Sequence, residues 1–227
     1  MSISVFIEGS KTGANSKTMK MECEGAFRTL LQRCGFKTLP HLVACGGRDH
    51  AYEMFVAAME QQVIQQNKIN SGSKRGQILA KKAKGHDEFL FMLIDSEDPI
   101  MNIYYTWDHL KNRKGDEWDK PAGASDDQVL FMTTCMESWI ITDRDTLKVH
   151  YKHDLIENRL IPLDQIENRN RHFVHERLEK ATENCSNSYA KGTRSFEVLE
   201  RLNPETLREH LPSFDRIYYI LKKKLFT

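Results

Sequence analysis

The feature that most restricts the fold of this chain is an unbroken run of apolar residues, Phe89–Ile94. The run has the length of a strand, and a strand that is apolar at every position must be buried on both faces. Sheets covered on both faces are typically parallel, with helices in the connections between strands. The run therefore predicts the central strand of an α/β sheet.

Shorter segments before and after this run alternate between strand and helix patterns. Three short apolar segments predict further strands, at Ser4–Ile7, Leu39–Cys45 and Val129–Cys135. Apolar residues recur at helical spacing in three longer segments, Met21–Cys34, Asp49–Gln66 and Trp107–Arg113. This order of strands and helices predicts a mostly parallel sheet flanked by helices, with right-handed crossovers.

The last third of the chain has a different character. From Asp143 onward the sequence is charged and offers no good strand. Four short helices are predicted there, at Phe173–Ala181, Ser195–Leu202, Pro204–His210 and Arg216–Leu225. No long low-complexity linker separates the two parts. We therefore expect an α/β domain over residues 1–145 and a helical C-terminal extension over residues 146–227 that packs on it.

Composition narrows the class of protein. A chain of 227 residues can bury a core without disulfides or metals as staples. Its net charge of +1 neither demands nor excludes a nucleic-acid partner. Every apolar run is shorter than the roughly 18 residues of a membrane helix, so we expect no membrane association. The five cysteines form no CxxC pair, which favours a reducing, cytoplasmic location.

Acidic residues follow several of the predicted strands. Glu8 follows the first strand, Asp95 and Glu97 follow the central strand, and Glu137 lies just past the fourth. The functional crevice of an open parallel sheet lies beyond the carboxyl ends of its strands, so these side chains can meet there. Converging carboxylates repel one another unless protons or cations neutralise them, and their oxygens suit Mg²⁺ or Mn²⁺.

Each acid also has a simpler interpretation. Glu8 could cap a helix or form an ordinary salt bridge. Asp95 and Glu97 belong to the segment Asp-Ser-Glu-Asp-Pro, which is also good turn chemistry. Glu137 could either join a metal site or cap the helix that it opens.

Several basic or glycine-rich positions could bind a phosphate. Arg48 follows two glycines and precedes a helix, so it either binds a phosphate or pairs with a carboxylate of the cluster. Lys191, beside Gly192, could neutralise a leaving phosphate or be an ordinary exposed lysine. The loop that starts at Gly9 could hold a substrate phosphate through Lys11 or Lys17.

Two further sequence patterns give weaker evidence about function, the loop after Gly9 and a basic stretch. The loop after Gly9 is no nucleotide-binding P-loop, because Ala14 and Asn15 stand where that motif needs Gly and Lys. The basic stretch Lys74–Lys84 could follow a nucleic-acid backbone or simply be a solvated face.

Two segments resemble the Toprim pattern of topoisomerases, primases and overcoming-lysogenization-defect (OLD-type) nucleases. That pattern has a glutamate at the end of the first strand and Asp-x-Asp at the third, as in Ile7-Glu8-Gly9 and Leu93–Glu97 here. The second acid, Glu97, is a glutamate instead of the usual aspartate. Three more segments extend the resemblance to a family of small Toprim-like proteins, domain of unknown function 4276: Cys45–Arg48, Cys135–Trp139 with Asp143, and Tyr189–Gly192.

The resemblance implies a Toprim fold and a site for Mg²⁺ or Mn²⁺ formed by Glu8, Asp95 and Glu97. It implies metal-dependent cleavage of DNA or RNA, with Glu137 as a further acid, and an ATPase partner in a phage-defence module. We therefore expect a nuclease with these catalytic residues: Glu8, Asp95, Glu97, Glu137 and Lys191. Gly9, Lys17 and Arg48 would bind the substrate. The alternative is a non-catalytic binding or regulatory subunit of an ATPase complex.

Overall fold

Four parallel strands form the sheet in the computed structural model, which describes residues 2–9, 16–70 and 88–225. The strands are β1 (Ser2–Glu8), β2 (His41–Gly46), β3 (Glu88–Asp95) and β4 (Val129–Met132). Their spatial order is β2-β1-β3-β4, and each neighbouring pair is parallel. The predicted α/β class and the parallel sheet flanked by helices are confirmed.

Helices connect the strands and make up most of the rest of the described chain. They are α1 (Ser16–Arg33), α2 (Arg48–Asn70), α3 (Thr106–Asn112), α4 (Met136–Thr142), α5 (Arg144–Tyr151), α6 (Arg171–Thr182), α7 (Thr193–Leu199), α8 (Pro204–His210) and α9 (Pro212–Leu225). Short 3₁₀ turns lie at Asp126–Gln128, Lys152–Asp154, Glu157–Arg159 and Ile166–Asn168. In the ranges that the structure describes, no helix is both long and apolar enough to cross a lipid bilayer.

Some boundaries differ from the sequence-based predictions. The fourth strand ends at Met132 instead of Cys135, because its neighbour β3 ends at Asp95, the residue that pairs with Met132. Helix α1 begins at Ser16, inside the segment predicted as a loop. Helix α5 was not predicted, although Asp143 caps it by accepting a hydrogen bond from the Thr146 amide. The basic stretch Lys74–Lys84 and Lys11 lie outside the described residues.

The central strand β3 is buried on both faces, as its apolar sequence predicts. Phe91 and Leu93 face one core, which contains α1 and most of the C-terminal helices. Leu90, Met92 and Ile94 face the other core, which contains α2, α3 and the side chain of Trp118. The C-terminal helices therefore share a hydrophobic core with the sheet, because they cover one of its two faces.

The strand order creates a crevice at one position on the sheet edge. From β1 the chain first adds β2 on one side, and it then crosses back to add β3 and β4 on the other side. The direction of winding therefore reverses between β1 and β3. Open α/β sheets bind ligands outside the carboxyl ends of the strands at such a reversal. Here those ends are Glu8 and Asp95.

We expect Phe91→Ala to lower the free energy of unfolding by about 3–5 kcal/mol, because it removes a ring from a packed core. Phe91 is 1% exposed. Urea denaturation measures the change. The control is Val149→Ala, which alters a 76% exposed side chain on α5 and should change stability by less than about 0.5 kcal/mol. Equal losses in the two variants would contradict the burial of Phe91 in the core that β3 shares with α1.

Candidate metal centre

Three acidic side chains converge at the carboxyl ends of β1 and β3. Glu8 is the last residue of β1, Asp95 is the last residue of β3, and Glu97 follows two residues later. One carboxylate oxygen from each lies within 4.8 Å of one from each of the others. The sequence predicted this meeting from the position of each acid at a strand end.

Glu97 reaches this cluster by a turn of the backbone. Its φ angle is +69°, in the left-handed region, so the strand does not simply continue through it as an extended chain. The turn is held by two hydrogen bonds, one to the last residue of β4 and one to the segment after it. The Ser96 amide donates to the Met132 carbonyl at 3.1 Å, and the Glu97 amide donates to the Thr134 carbonyl at 2.8 Å.

Protein groups orient one oxygen of each carboxylate. The Asp95 amide donates to Oε2 of Glu8 at 3.1 Å, and the Met136 amide donates to Oδ1 of Asp95 at 2.9 Å. Oε2 of Glu97 contacts the guanidinium groups of Arg113 and Arg171. Within the described part of the chain, the second oxygen of each carboxylate has no hydrogen-bond partner. Such partners on one oxygen orient the other toward a ligand.

Burial disfavours the ionised form of two of these carboxyl groups. Burial raises the pKa of Asp95 well above its usual range, and the charges of Glu8 and Glu137 raise it further. Burial also raises the pKa of Glu8, and the nearby Arg48 guanidinium offsets only part of that effect. Protons or a cation therefore stabilise this pair of side chains.

Glu137 lies beside the pair and is held differently. It sits in the first turn of α4 and is 2% exposed. The Tyr189 hydroxyl donates to its Oε1 at 2.6 Å, and Nζ of Lys191 lies 3.6 Å from the same oxygen. Burial would raise the pKa of Glu137, but the charge of Lys191 and the hydrogen bond from Tyr189 outweigh burial and lower it. Glu137 is therefore a stable carboxylate next to Asp95.

A cavity of about 410 Å³ opens over these groups. Glu8, Asp95, Glu137 and Lys191 line it, together with the backbone at Gly9. A Cβ atom on Gly9 would lie 2.6 Å from Sγ of Cys23, so this position requires glycine. The structure thus brings five of the predicted site residues to one cavity.

The two other predicted substrate-binding residues lie elsewhere or are already paired. Lys17 is exposed in the first turn of α1 and is not among the residues that line this cavity. Arg48 forms a two-pronged ion pair with Asp116, with nitrogen–oxygen distances of 2.9 and 2.6 Å. Its third nitrogen donates to the Asp95 carbonyl and lies 3.8 Å from Oε2 of Glu8. These contacts match the alternative in which Arg48 pairs with carboxylates.

Sequence reasoning missed Asp116, Arg113 and Arg171. Asp116 is 9% exposed and joins two arginines, because its Oδ1 also contacts Nη1 of Arg113 at 3.0 Å. Nothing in the spacing of the polar segment around Asp116 distinguishes it from its neighbours. Arg171 carried no signal either, because it lies before the predicted helix Phe173–Ala181, and α1 and α7 also lack an acid in the first turn.

The charged groups at the site do not balance when all of them are ionised. Among the described residues in and next to the cluster are six carboxylates and four cationic side chains. The carboxylates belong to Glu8, Asp95, Glu97, Asp98, Asp116 and Glu137, and the cations to Arg48, Arg113, Arg171 and Lys191. With every group ionised, two negative charges remain, which either two protons or one divalent cation would neutralise. Carboxylate oxygens are the ligands that Mg²⁺ and Mn²⁺ prefer, so the donor set fits them.

The fold and the cluster together define an α/β protein with an acidic candidate metal centre at the sheet's topological switch point. The chain belongs to the family described as Domain of unknown function (DUF4276), whose model matches residues 17–222. Searches of curated proteins and of solved structures give no match to this chain.

We expect Asp95→Asn to raise the melting temperature of the metal-free protein at pH 8. A carboxyl group with a raised pKa binds its proton more tightly in the folded state than in the unfolded state. Stability from this group is therefore present at low pH and is lost as pH rises toward the folded-state pKa. Asparagine is uncharged at every pH in this range, so Asp95→Asn does not lose this stability. The difference in melting temperature between the variant and the parent should therefore shrink as pH falls toward 4. Thermal unfolding in EDTA across this pH range measures it.

The matched control is Asp164→Asn, which changes an exposed aspartate. Its melting temperature should follow that of the parent at every pH. A lower melting temperature for Asp95→Asn at pH 8 would mean that Asp95 stabilises the fold as an anion, against the effect of its burial.

Asp116→Ala should lower the free energy of unfolding by about 3–5 kcal/mol, because it leaves the charges of Arg48 and Arg113 without their shared partner. Asp119→Ala is the comparison. It removes an 85% exposed carboxylate paired with Lys111, and it should cost less than about 1 kcal/mol. Chemical denaturation of both variants tests whether Asp116 joins the two arginines.

Proposed function

We propose that this protein is a metal-dependent phosphodiesterase that cleaves DNA or RNA, with Mg²⁺ or Mn²⁺ held by Glu8, Asp95 and Glu97. One observation carries the proposal. Three carboxylates from the ends of two parallel strands converge at the topological switch point, with an oxygen of each within 4.8 Å of the others. Ligands of open α/β sheets bind at that position.

Electrostatics supports a cation as the resident ligand. The two raised pKa values, at Glu8 and Asp95, show that the fold holds these carboxyls where a negative charge is unfavourable. The excess of two negative charges in and around the cluster equals the charge of one divalent ion. A bound cation would therefore stabilise the site as it forms.

A bound divalent cation supplies an activated water and stabilises the negative charge that develops on a phosphate during cleavage. Side-chain and backbone groups of the protein would bind the substrate. Lys191 brings a positive charge into the cavity, and Glu137 orients it through the 3.6 Å contact. Gly46 and Gly47 line the same cavity and leave room for a phosphate to approach the backbone.

The biological setting is proposed from the sequence resemblance. The Glu and Asp-x-Glu segments resemble those of Toprim nucleases, so we propose that this chain is the nuclease component of a cytoplasmic phage-defence module. An ATPase partner would then restrain or trigger it. This part of the proposal rests on analogy with the wider Toprim group.

A second function is favoured by the arginines around the cluster. Arg113 and Arg171 both contact Glu97, and Arg48 lies 3.8 Å from Glu8. These contacts neutralise part of the acidic charge without any ion. The alternative is therefore a non-catalytic binding or regulatory subunit of an ATPase complex, in which the acidic cluster is structural.

The test is metal-dependent cleavage by the purified protein. The parent, Glu8→Gln and Asp95→Ala would be incubated with plasmid, single-stranded DNA and total RNA in Mn²⁺ or Mg²⁺, with and without any ATPase that a neighbouring gene encodes. We expect the parent to cut at least one polymer and both variants to lose at least about 100-fold in rate, because they remove ligands of the ion. Mn²⁺ should raise the melting temperature of the parent and much less that of the variants.

Glu53→Gln is the matched control, since Glu53 is a 70% exposed glutamate on α2. It should keep both the cleavage rate and the response to Mn²⁺. If the parent neither cuts any polymer nor responds thermally to metal, the catalytic proposal fails. Loss of ATPase binding by Glu8→Gln, with no cleavage by the parent, would instead favour the regulatory alternative.

A further inference from the structure

We propose that Arg171 binds a phosphate of the nucleic-acid substrate beside the candidate metal centre. This inference rests on the proposed function and deepens it. It adds a substrate contact that comes from the C-terminal extension, two residues before the short helix that the sequence predicted at Phe173–Ala181.

A comparison of the three arginines around the cluster singles out Arg171. Arg48 and Arg113 have side chains that are 10% and 15% exposed, and all three side-chain nitrogens of each have acceptors. Arg171 is 35% exposed, and its guanidinium contacts one partner among the described residues, Glu97. Arg171 is therefore the arginine with donors left for a ligand from solvent.

The position of Arg171 on its helix also calls for an anion. Helix α6 has 12 residues, and its first turn contains Arg171 and His172 but no acid. The amino end of a helix carries a partial positive charge, so the charge of Arg171 there is unfavourable unless an anion lies nearby. Glu97 supplies one such charge, and a substrate phosphate would supply another.

Glu97 would keep a partner when Arg171 engages a phosphate. Its Oε2 contacts both guanidinium groups, and the Arg113 contact, at 3.3 Å, is held by further bonds from Arg113 to Asp98 and Asp116. Arg171 can therefore turn toward a phosphate while Glu97 stays oriented. A guanidinium binds phosphate through two parallel N–H bonds, which a lysine cannot reproduce.

Of the four cationic side chains described at the site, the two that are most exposed both belong to the extension. Lys191, 56% exposed, contacts Glu137, and Arg171 contacts Glu97. The acids Glu8, Asp95, Glu97 and Glu137 all come from residues 1–145. The sheet part would thus hold the metal, and the helical part would hold the charged backbone of the substrate.

Binding of a cleavage-resistant phosphorothioate oligonucleotide, as DNA and as RNA, tests the inference. Fluorescence anisotropy in Mn²⁺ at several salt concentrations gives the affinity and its salt dependence. We expect Arg171→Gln to weaken binding about 10- to 100-fold, the usual range for a charge-assisted hydrogen bond. The slope of log K against log salt should also fall by about 0.7–0.9, the loss of one phosphate contact.

Arg171→Lys should keep most of the salt slope but recover only part of the affinity, because it keeps the charge and loses the two-pronged geometry. The control is Arg159→Gln, which removes a 40% exposed arginine that is also paired with a glutamate, Glu183. It should leave affinity and slope unchanged. An unchanged Mn²⁺-induced rise in melting temperature shows that each variant is folded and holds metal.

The outcomes separate this inference from the proposed function. Parent-like affinity and salt slope in Arg171→Gln would overturn the inference, whether or not the parent cuts. If the parent binds without cutting, and Arg171→Gln lowers affinity and slope, the inference stands and the catalytic proposal falls. No binding by the parent to either oligonucleotide would overturn both.

Discussion

The structure depends on one electrostatic constraint, the burial of the Asp95 carboxylate between two other acids. Burial disfavours this charge, so neighbouring protein groups have to compensate for it. The Met136 amide donates to the side chain, and Arg48 donates to the Asp95 carbonyl. Asp116 in turn joins Arg48 to Arg113, and Arg113 contacts Glu97. The acids are thus linked by alternating ion pairs around an oxygen-lined space that suits a cation.

The two parts of the chain contribute different chemistry to this site. The sheet supplies carboxylates, because strands β1 and β3 end side by side at the topological switch point. The C-terminal extension supplies Arg171, Tyr189 and Lys191, which contact Glu97 and Glu137. A shared hydrophobic core between the sheet and the C-terminal helices fixes these side chains relative to the acids. A change in that packing would therefore alter the charge balance of the site as well as the stability of the fold.

Much of the fold and part of the site could be predicted from local patterns. The apolar run Phe89–Ile94 indicated a strand buried on both faces, and Glu8 and Asp95 drew attention because each follows such a strand. The role of Arg48 remained open, since its main partner, Asp116, lies 68 residues away in a loop without regular periodicity. The hydrogen bond from Tyr189 to Glu137 joins residues that are 52 positions apart, so the spacing of residues in the sequence could not predict it either.

The sequence by itself determined which segments form strands and which acids stand at their ends, because hydrophobic periodicity and strand length are local properties. It also predicted a candidate site for a hard cation, since the clustered side chains are carboxylates. Only the tertiary structure decided the strand order β2-β1-β3-β4 and the pairing of each acid with its cation. Those features follow from packing and charge compensation between segments far apart in the chain, and their free energy depends on three-dimensional distances that no local pattern encodes.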